Sequence, residues 1–180
     1  MLYLKKNIVS KVTLDDIAYD LQFEKGKQSF IYNPKEKNQY EDKNIRSAIS
    51  KNLNIAEYFD YVNIITKLSY EFMPEYSDKL FVKELEYLKY GLTDHFAPHQ
   101  DAVKDGNKST ARQLTTITML TKTDDMVGGE LILFDSNGAK YNTDLQVGET
   151  VVFHSFTFHQ VLPITCGGRE VLVSWLYNKK

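Results

Sequence analysis

The sequence predicts an α+β chain that is mainly β: a β-sandwich or jelly-roll core with supporting helices ahead of it. Three observations predict it. From about residue 79 onward, KLFVKELEYLKY, RQLTTITMLTK, GGELILF, ETVVFHS and REVLVSWLY are rich in β-branched and aromatic residues. The turn signals DGNKS, DDMVGG, DSNG and CGG separate them. The earlier residues instead carry two stretches of helical periodicity.

Taken in order, TLDDIAYDLQF (13–23) opens on a Thr-x-x-Asp pattern that fits a helix N-cap, and Leu14, Ile17 and Leu21 recur at helical spacing. Residues 24–42 are polar and read as loop, with one short strand around SFIY. NIRSAIS is a candidate strand. IAEYFDYVNIITKLSYEFM (55–73) reads as an amphipathic helix with Ile55, Phe59, Val62, Ile65, Leu68 and Phe72 on one side, stopped by Pro74. The five strands named above follow. With 180 residues and no repeat or linker, one domain over 1–180 is expected, with 1–78 as a helical support layer and 79–178 as the β core.

A formal net charge of −2 provides no basic surplus for phosphate binding, so nucleic acid is not the expected partner. Cys166 is the only cysteine, which excludes an intramolecular disulfide. MLYLKKNIVS has the wrong order and length for a signal peptide, and no apolar run approaches a membrane span. A cytoplasmic protein is expected. Oligomeric state is not legible.

HFAPHQD (95–101) holds the first chemistry. Residues i and i+2 of a strand share a face, so His99 and Asp101 can meet one ion. His95 lies about 13 Å from His99 along a strand, too far to join them. A third ligand must come from His154 or His159. Two histidines and one carboxylate leave open positions on the far side of a metal, the arrangement of non-haem Fe(II) oxygenases. In REVLVSW, Arg169 shares a face with Val171, Val173 and Trp175. A cation heading an apolar face needs an anionic partner.

The ordered set Tyr90-Gly91, Phe96, His99-x-Asp101, Gly128-Gly129-Glu130-Leu131, His159, Arg169 and Trp175 resembles the prolyl 4-hydroxylase-like branch of the Fe(II)/2-oxoglutarate dioxygenases. The resemblance covers roughly residues 80–177. Arg46-x-x-Ile ahead of the long helix is compatible with it.

The resemblance implies a double-stranded β-helix (jelly-roll or cupin-like) core, with Fe(II) held by His99, Asp101 and His159. It implies 2-oxoglutarate as cosubstrate with O2, ascorbate as a further candidate, and release of succinate and CO2 as a C–H bond of a prolyl, peptide or amino-acid substrate is hydroxylated. Asp101 fits hydroxylation, because related halogenases have a small residue there. Arg169 would pair the distal carboxylate of 2-oxoglutarate and Tyr90 would donate to it. Some relatives carry a second tyrosine where this chain has Met119, which cannot donate, so Thr115 is the expected substitute. Ile117, Met119, Leu131, Val171 and Trp175 are expected on the pocket wall. His95, Arg112 and His154 are candidates for the substrate side, and residues 102–111 for a lid. Two alternatives stay open: a non-oxidative cupin-like metal protein, and a nucleic-acid demethylase of the same superfamily.

Overall fold

A computed structural model describes residues 1–22, 26–33, 38–102 and 112–179. Twelve strands build its two larger sheets: β1 (Tyr3–Asn7), β2 (Lys27–Gln28), β3 (Arg46–Ser47), β4 (Ile49–Asn52), β5 (Leu80–Tyr90), β6 (His95–His99), β7 (Leu114–Lys122), β8 (Leu131–Phe134), β9 (Lys140–Asn142), β10 (Glu149–His154), β11 (His159–Val161) and β12 (Arg169–Asn178). The major sheet has the order β1-β10-β7-β12-β5-β4-β2, and the minor sheet β9-β8-β11-β6-β3. Their pairings are antiparallel. The two sheets face each other as the predicted jelly roll.

β7 and β12, neighbours in the major sheet, are buried on both faces over most of their length, and their two parities serve two cores. On β7, Thr115, Ile117 and Met119 have one parity, and Ile117 and Met119 join an inner cluster with Leu131, Val171, Val173 and Trp175. The other parity, Leu114 and Leu120, joins Leu172 and Leu176 in an outer cluster beneath the helices. This explains why these strands read as near-continuous apolar or Thr-rich runs without polar alternation.

Helix α1 (Lys11–Gln22) begins earlier than its pattern suggested. Ser10, not Thr13, caps it: the Thr13 amide donates to Ser10 Oγ at 3.1 Å, and the Leu14 amide to the Ser10 carbonyl at 3.0 Å. Leu14, Ile17 and Leu21 do form its buried stripe. Helix α2 (Phe59–Phe72) is preceded by a 3-10 turn, Ile55–Tyr58, capped by Asn54. Three residues per turn there breaks the 3.6 register. Phe59 therefore points outward at 64% exposure, and Tyr61 takes the inward place with Ile65, Leu68 and Phe72. Tyr61 also shares a 2.8 Å hydrogen bond with Thr118 of β7, fixing the helix on the sheet.

The first 78 residues are more than a helical layer. They contribute β1, β2 and β4 to the major sheet and β3 to the minor one. β3 and the start of β4 fall within NIRSAIS, the candidate strand, whereas YLKKN and KQ of β1 and β2 are short and lack an apolar alternation. Ile31–Asn33, within the expected SFIY region, pairs with Asn38–Tyr40.

Candidate active site

The two sheets leave a cavity between β5, β6, β7, β11 and β12, lined in part by Tyr90, His99, Asp101, Ile117, His159, Arg169, Val171 and Trp175. His99 and His159 are direct partners across the β6–β11 ladder, so their rings meet at a centroid separation of 4.1 Å. Asp101 is reached differently from the expectation. β6 ends at His99, and Asp101 sits in the bend beyond it. Two amides, those of Asp101 and Ala102, bind the Ser155 carbonyl at 2.9 and 3.0 Å and turn the carboxylate inward. Strand parity alone did not supply this geometry.

His99 Nε2 lies 3.5 Å from Asp101 Oδ1, and His159 Nε2 lies 3.6 Å from Asp101 Oδ2. One ligand atom from each residue can be chosen so that all three lie within 4.8 Å of one another. Donors held about 2.1 Å from one ion at right angles would lie about 3 Å apart, so little adjustment is needed. In both histidines Nδ1 sits against the carbonyl two residues earlier, Ala97 at 2.8 Å and Thr157 at 2.9 Å. A carbonyl can only accept, so Nδ1 carries the proton and Nε2 presents its lone pair to the shared space.

Burial alone would raise the Asp101 pKa, but His159, His99 and the Trp175 N–H hold it far below the usual carboxylate range. Burial pushes His159 from 6.5 down to about 4, against the pull of Asp101. Near neutral pH the pair is thus an ionised carboxylate beside a neutral imidazole, the forms a metal requires.

A pH dependence follows for the metal-free protein. The unfolded chain protonates His159 near 6.5, while the folded chain resists until about 4. Protons therefore favour unfolding as pH falls through that window, by on the order of 3 kcal/mol. Urea midpoints measured from pH 7 to 4 should fall, and His159→Asn should flatten much of the fall. A wild-type profile as flat as the variant's would contradict the assignment.

Arg169 opens β12 with 3% exposure and points into the same cavity. Its Cζ lies 5.1 Å from the Tyr90 ring centroid. Among the described residues no carboxylate comes within ion-pair distance, and its buried Nε has no hydrogen-bond partner. Burial lowers its pKa, offset in part by Tyr90 and Glu130. Tyr90 is itself buried, which raises its pKa and keeps it a neutral phenol. Gly128 and Gly129, with φ of 82° and 72°, let the neighbouring turn close in: a Cβ on Gly129 would lie 2.8 Å from Ile164 and 3.8 Å from Arg169 Cδ.

Several expected neighbours lie elsewhere. Thr115 does not line the cavity: its hydroxyl donates to Asp101 Oδ2 at 2.7 Å and contacts Ser155 Oγ at 2.9 Å, so it is committed to the carboxylate. Met119 and Leu131 are 1% exposed and sit in the inner core away from the cavity wall. His95 does not face the cavity either: its two nitrogens lie against the carbonyls of Thr93 and Asn44. His154 ends β10, stacked on Phe156 and tilted against Phe72, on the helix side of the major sheet. Arg112 is bound by Glu84 and covers the Trp175 ring. Of residues 102–111, all but Ala102 lie outside the described residues. Conversely, Phe96 and Val161 line the cavity. Phe96, on β6 three residues before His99, stood in the ordered set that carries the resemblance; Val161, two residues beyond His159 on β11, carried no signal of its own.

Residues 85–177 match the family model of the 2OG-Fe(II) oxygenase superfamily, just over half of the chain. The chain belongs to that superfamily. Within this oxygenase family it is similar to a PKHD-type hydroxylase of Colwellia psychrerythraea, 30% identical over 82 residues, covering 45% of the chain and 36% of the relative. A second PKHD-type hydroxylase, from Paraburkholderia phymatum, is 31% identical over 88 residues, or 47% of the chain and 38% of the relative. The matches thus span well under half of these relatives' own length. Among solved structures, a prolyl-4-hydroxylase of Pseudomonas putida superposes with a TM-score of 0.74 at 17% identity, covering 99% of the chain and 93% of its own. A Trichoplax adhaerens prolyl hydroxylase, solved with a hypoxia-inducible-factor peptide fragment, gives 0.73 at 13% identity, covering 98% and 83%. These likenesses establish the double-stranded β-helix fold. No described helix is long and apolar enough to cross a membrane.

Proposed function

We propose that the chain is a 2-oxoglutarate-dependent hydroxylase. In this reading His99, Asp101 and His159 hold Fe(II), and Arg169 receives the distal carboxylate of 2-oxoglutarate. The observation that carries it is Arg169: a buried guanidinium without an ion pair among the described residues, facing the same cavity as the triad. A buried cation of this kind calls for an anion. The charges also balance. One carboxylate, one guanidinium, a dication and a dicarboxylate sum to zero. A metal-only cupin would leave Arg169 without a purpose.

Fe(II) with 2-oxoglutarate and O2 would supply oxidative decarboxylation to succinate and CO2, coupled to hydroxylation of a substrate C–H bond. The chain's own residues set the conditions for it. The fixed tautomers of His99 and His159 keep Nε2 free, and the ionised Asp101 supplies the negative ligand. Arg169 offers a planar fork matched to a carboxylate. The Tyr90 phenol can donate a second hydrogen bond to the cosubstrate. Ile117, Val171 and Val173 form an apolar wall that excludes water.

The substrate class proposed is a prolyl peptide or a free amino acid, supported by relatives named as PKHD-type and prolyl hydroxylases. Succinate release is the test, with ascorbate present as reductant. Succinate should form only with Fe(II), 2-oxoglutarate and O2 together, and a matching member of a proline-peptide and amino-acid panel should accelerate it. Equal release by His99→Ala would defeat the assignment.

A further inference from the structure

Glu84 and Glu86 stand two residues apart on β5, and a chain of contacts leads from each to a different member of the triad. From Glu86, Oε2 accepts from Arg46 Nη2 at 3.0 Å. The Arg46 Cζ lies 4.8 Å from the Phe96 ring centroid. Phe96 in turn stacks on His99, with centroids 3.5 Å apart and planes at 17°. A ring stacked that closely fills one face of Phe96, so the guanidinium takes the other.

From Glu84 the same sequence of groups recurs. Its two carboxylate oxygens accept from Arg112 Nε at 3.2 Å and Nη2 at 2.6 Å. The Arg112 Cζ lies 3.8 Å over the Trp175 ring. Trp175 Nε1 donates to Asp101 Oδ2 at 3.0 Å.

We propose that Glu84 and Glu86 anchor two parallel columns, glutamate–arginine–aromatic–ligand, that set the orientation of Asp101 and His99 before a metal arrives. This rests on the triad being the metal site. The physical logic is that each ligand has one rotation left to fix. Phe96 lying flat on His99 holds its ring plane. Trp175 and Thr115 both donate to Asp101 Oδ2, which leaves Oδ1 on the His99 side as the ligating oxygen. The arginines hold the aromatic rings through their π faces, and the glutamates hold the arginines in plane. Lysine, a point charge without a planar fork, could not serve in either column. Neither glutamate lines the cavity, so both are positioning residues.

Co(II) titration under anaerobic conditions, followed by visible absorption, tests the proposal. Trp175→Phe keeps the stack and loses the N–H, and should weaken Co(II) binding about 10-fold. Glu84→Ala, at a half-exposed position, should weaken it by a smaller factor. The double variant should bind no more weakly than Trp175→Phe alone, because Glu84 acts through the indole. Thermal unfolding of the metal-free variants, measured in parallel, separates a loss of stability from a loss of orientation. Glu86→Ala in a Phe96→Leu background tests the other column in the same way. Additive losses of Co(II) affinity, or no loss from Glu84→Ala, would overturn the columns while leaving the triad intact. Absence of Co(II) binding by the wild type would overturn both the columns and the metal site.

Discussion

Arg169→Met should weaken 2-oxoglutarate binding by roughly 30-fold or more while sparing the metal. Truncating one partner of a buried, hydrogen-bonded charge pair costs about 2–5 kcal/mol, which is roughly 30-fold to several thousand-fold in affinity. Methionine fills much of the same space, so cavity formation is small. The sign in the empty protein is the opposite. Arg169 there is a buried cation without an ion pair among the described residues, and its apolar replacement relieves that desolvation. The metal-free variant should therefore unfold at the wild-type temperature or above it. What it loses is the added stability that 2-oxoglutarate confers on the wild type. Calorimetric titration and thermal unfolding with and without the cosubstrate check both halves. Undiminished stabilisation by 2-oxoglutarate in the variant would contradict the role given to Arg169.

Asp101→Asn should remove metal binding with little loss of fold. The amide oxygen can still accept from Trp175 and Thr115, so these buried donors keep a partner. The negative charge is gone, and with it the anionic ligand between two neutral imidazoles. The affinity loss should exceed the roughly 10–100-fold typical of an outer-shell change. Asp101→Ala should behave worse for a separate reason. It strands the Trp175 N–H, at about 1–3 kcal/mol for a buried group left unsatisfied, while the Thr115 hydroxyl keeps Ser155 Oγ. Metal titration alongside urea unfolding distinguishes the two variants.

Part of this site was legible in the sequence. The His-x-Asp pattern picked out His99 and Asp101, and the parity of a long apolar strand placed Arg169 on the inner face, while the choice of His159 over His154 came from the family resemblance. The parity of Ile117, Val171, Val173 and Trp175 likewise places them in the inner core. What was not legible depends on contacts distant in sequence. Asp101 is turned inward by the Ser155 carbonyl, and Thr115 is claimed by Asp101. Period-2 reasoning could place Thr115 on the inner face but could not say what its hydroxyl would meet. Arg112 and Glu84 are separated by 28 residues, and Arg46 and Glu86 by 40, so neither pair leaves a local pattern. The 3-10 turn before α2 shifted the helix phase, which is why Phe59 and not Tyr61 was assigned inward. Among the N-terminal strands, β3 and the start of β4 fall within NIRSAIS, the candidate strand, whereas β1 and β2 were missed because polar edge strands have no amphipathic signature.

The central claim is that the triad and Arg169 bind Fe(II) and 2-oxoglutarate together in one cavity. Anaerobic addition of 2-oxoglutarate to the Fe(II)-loaded protein, followed in the visible, tests it most directly. A weak charge-transfer band should appear for the wild type at one equivalent of each. It should be absent in His99→Ala and shifted to much higher cosubstrate concentration in Arg169→Met. No band in the wild type, or an equal band in His99→Ala, would contradict the account.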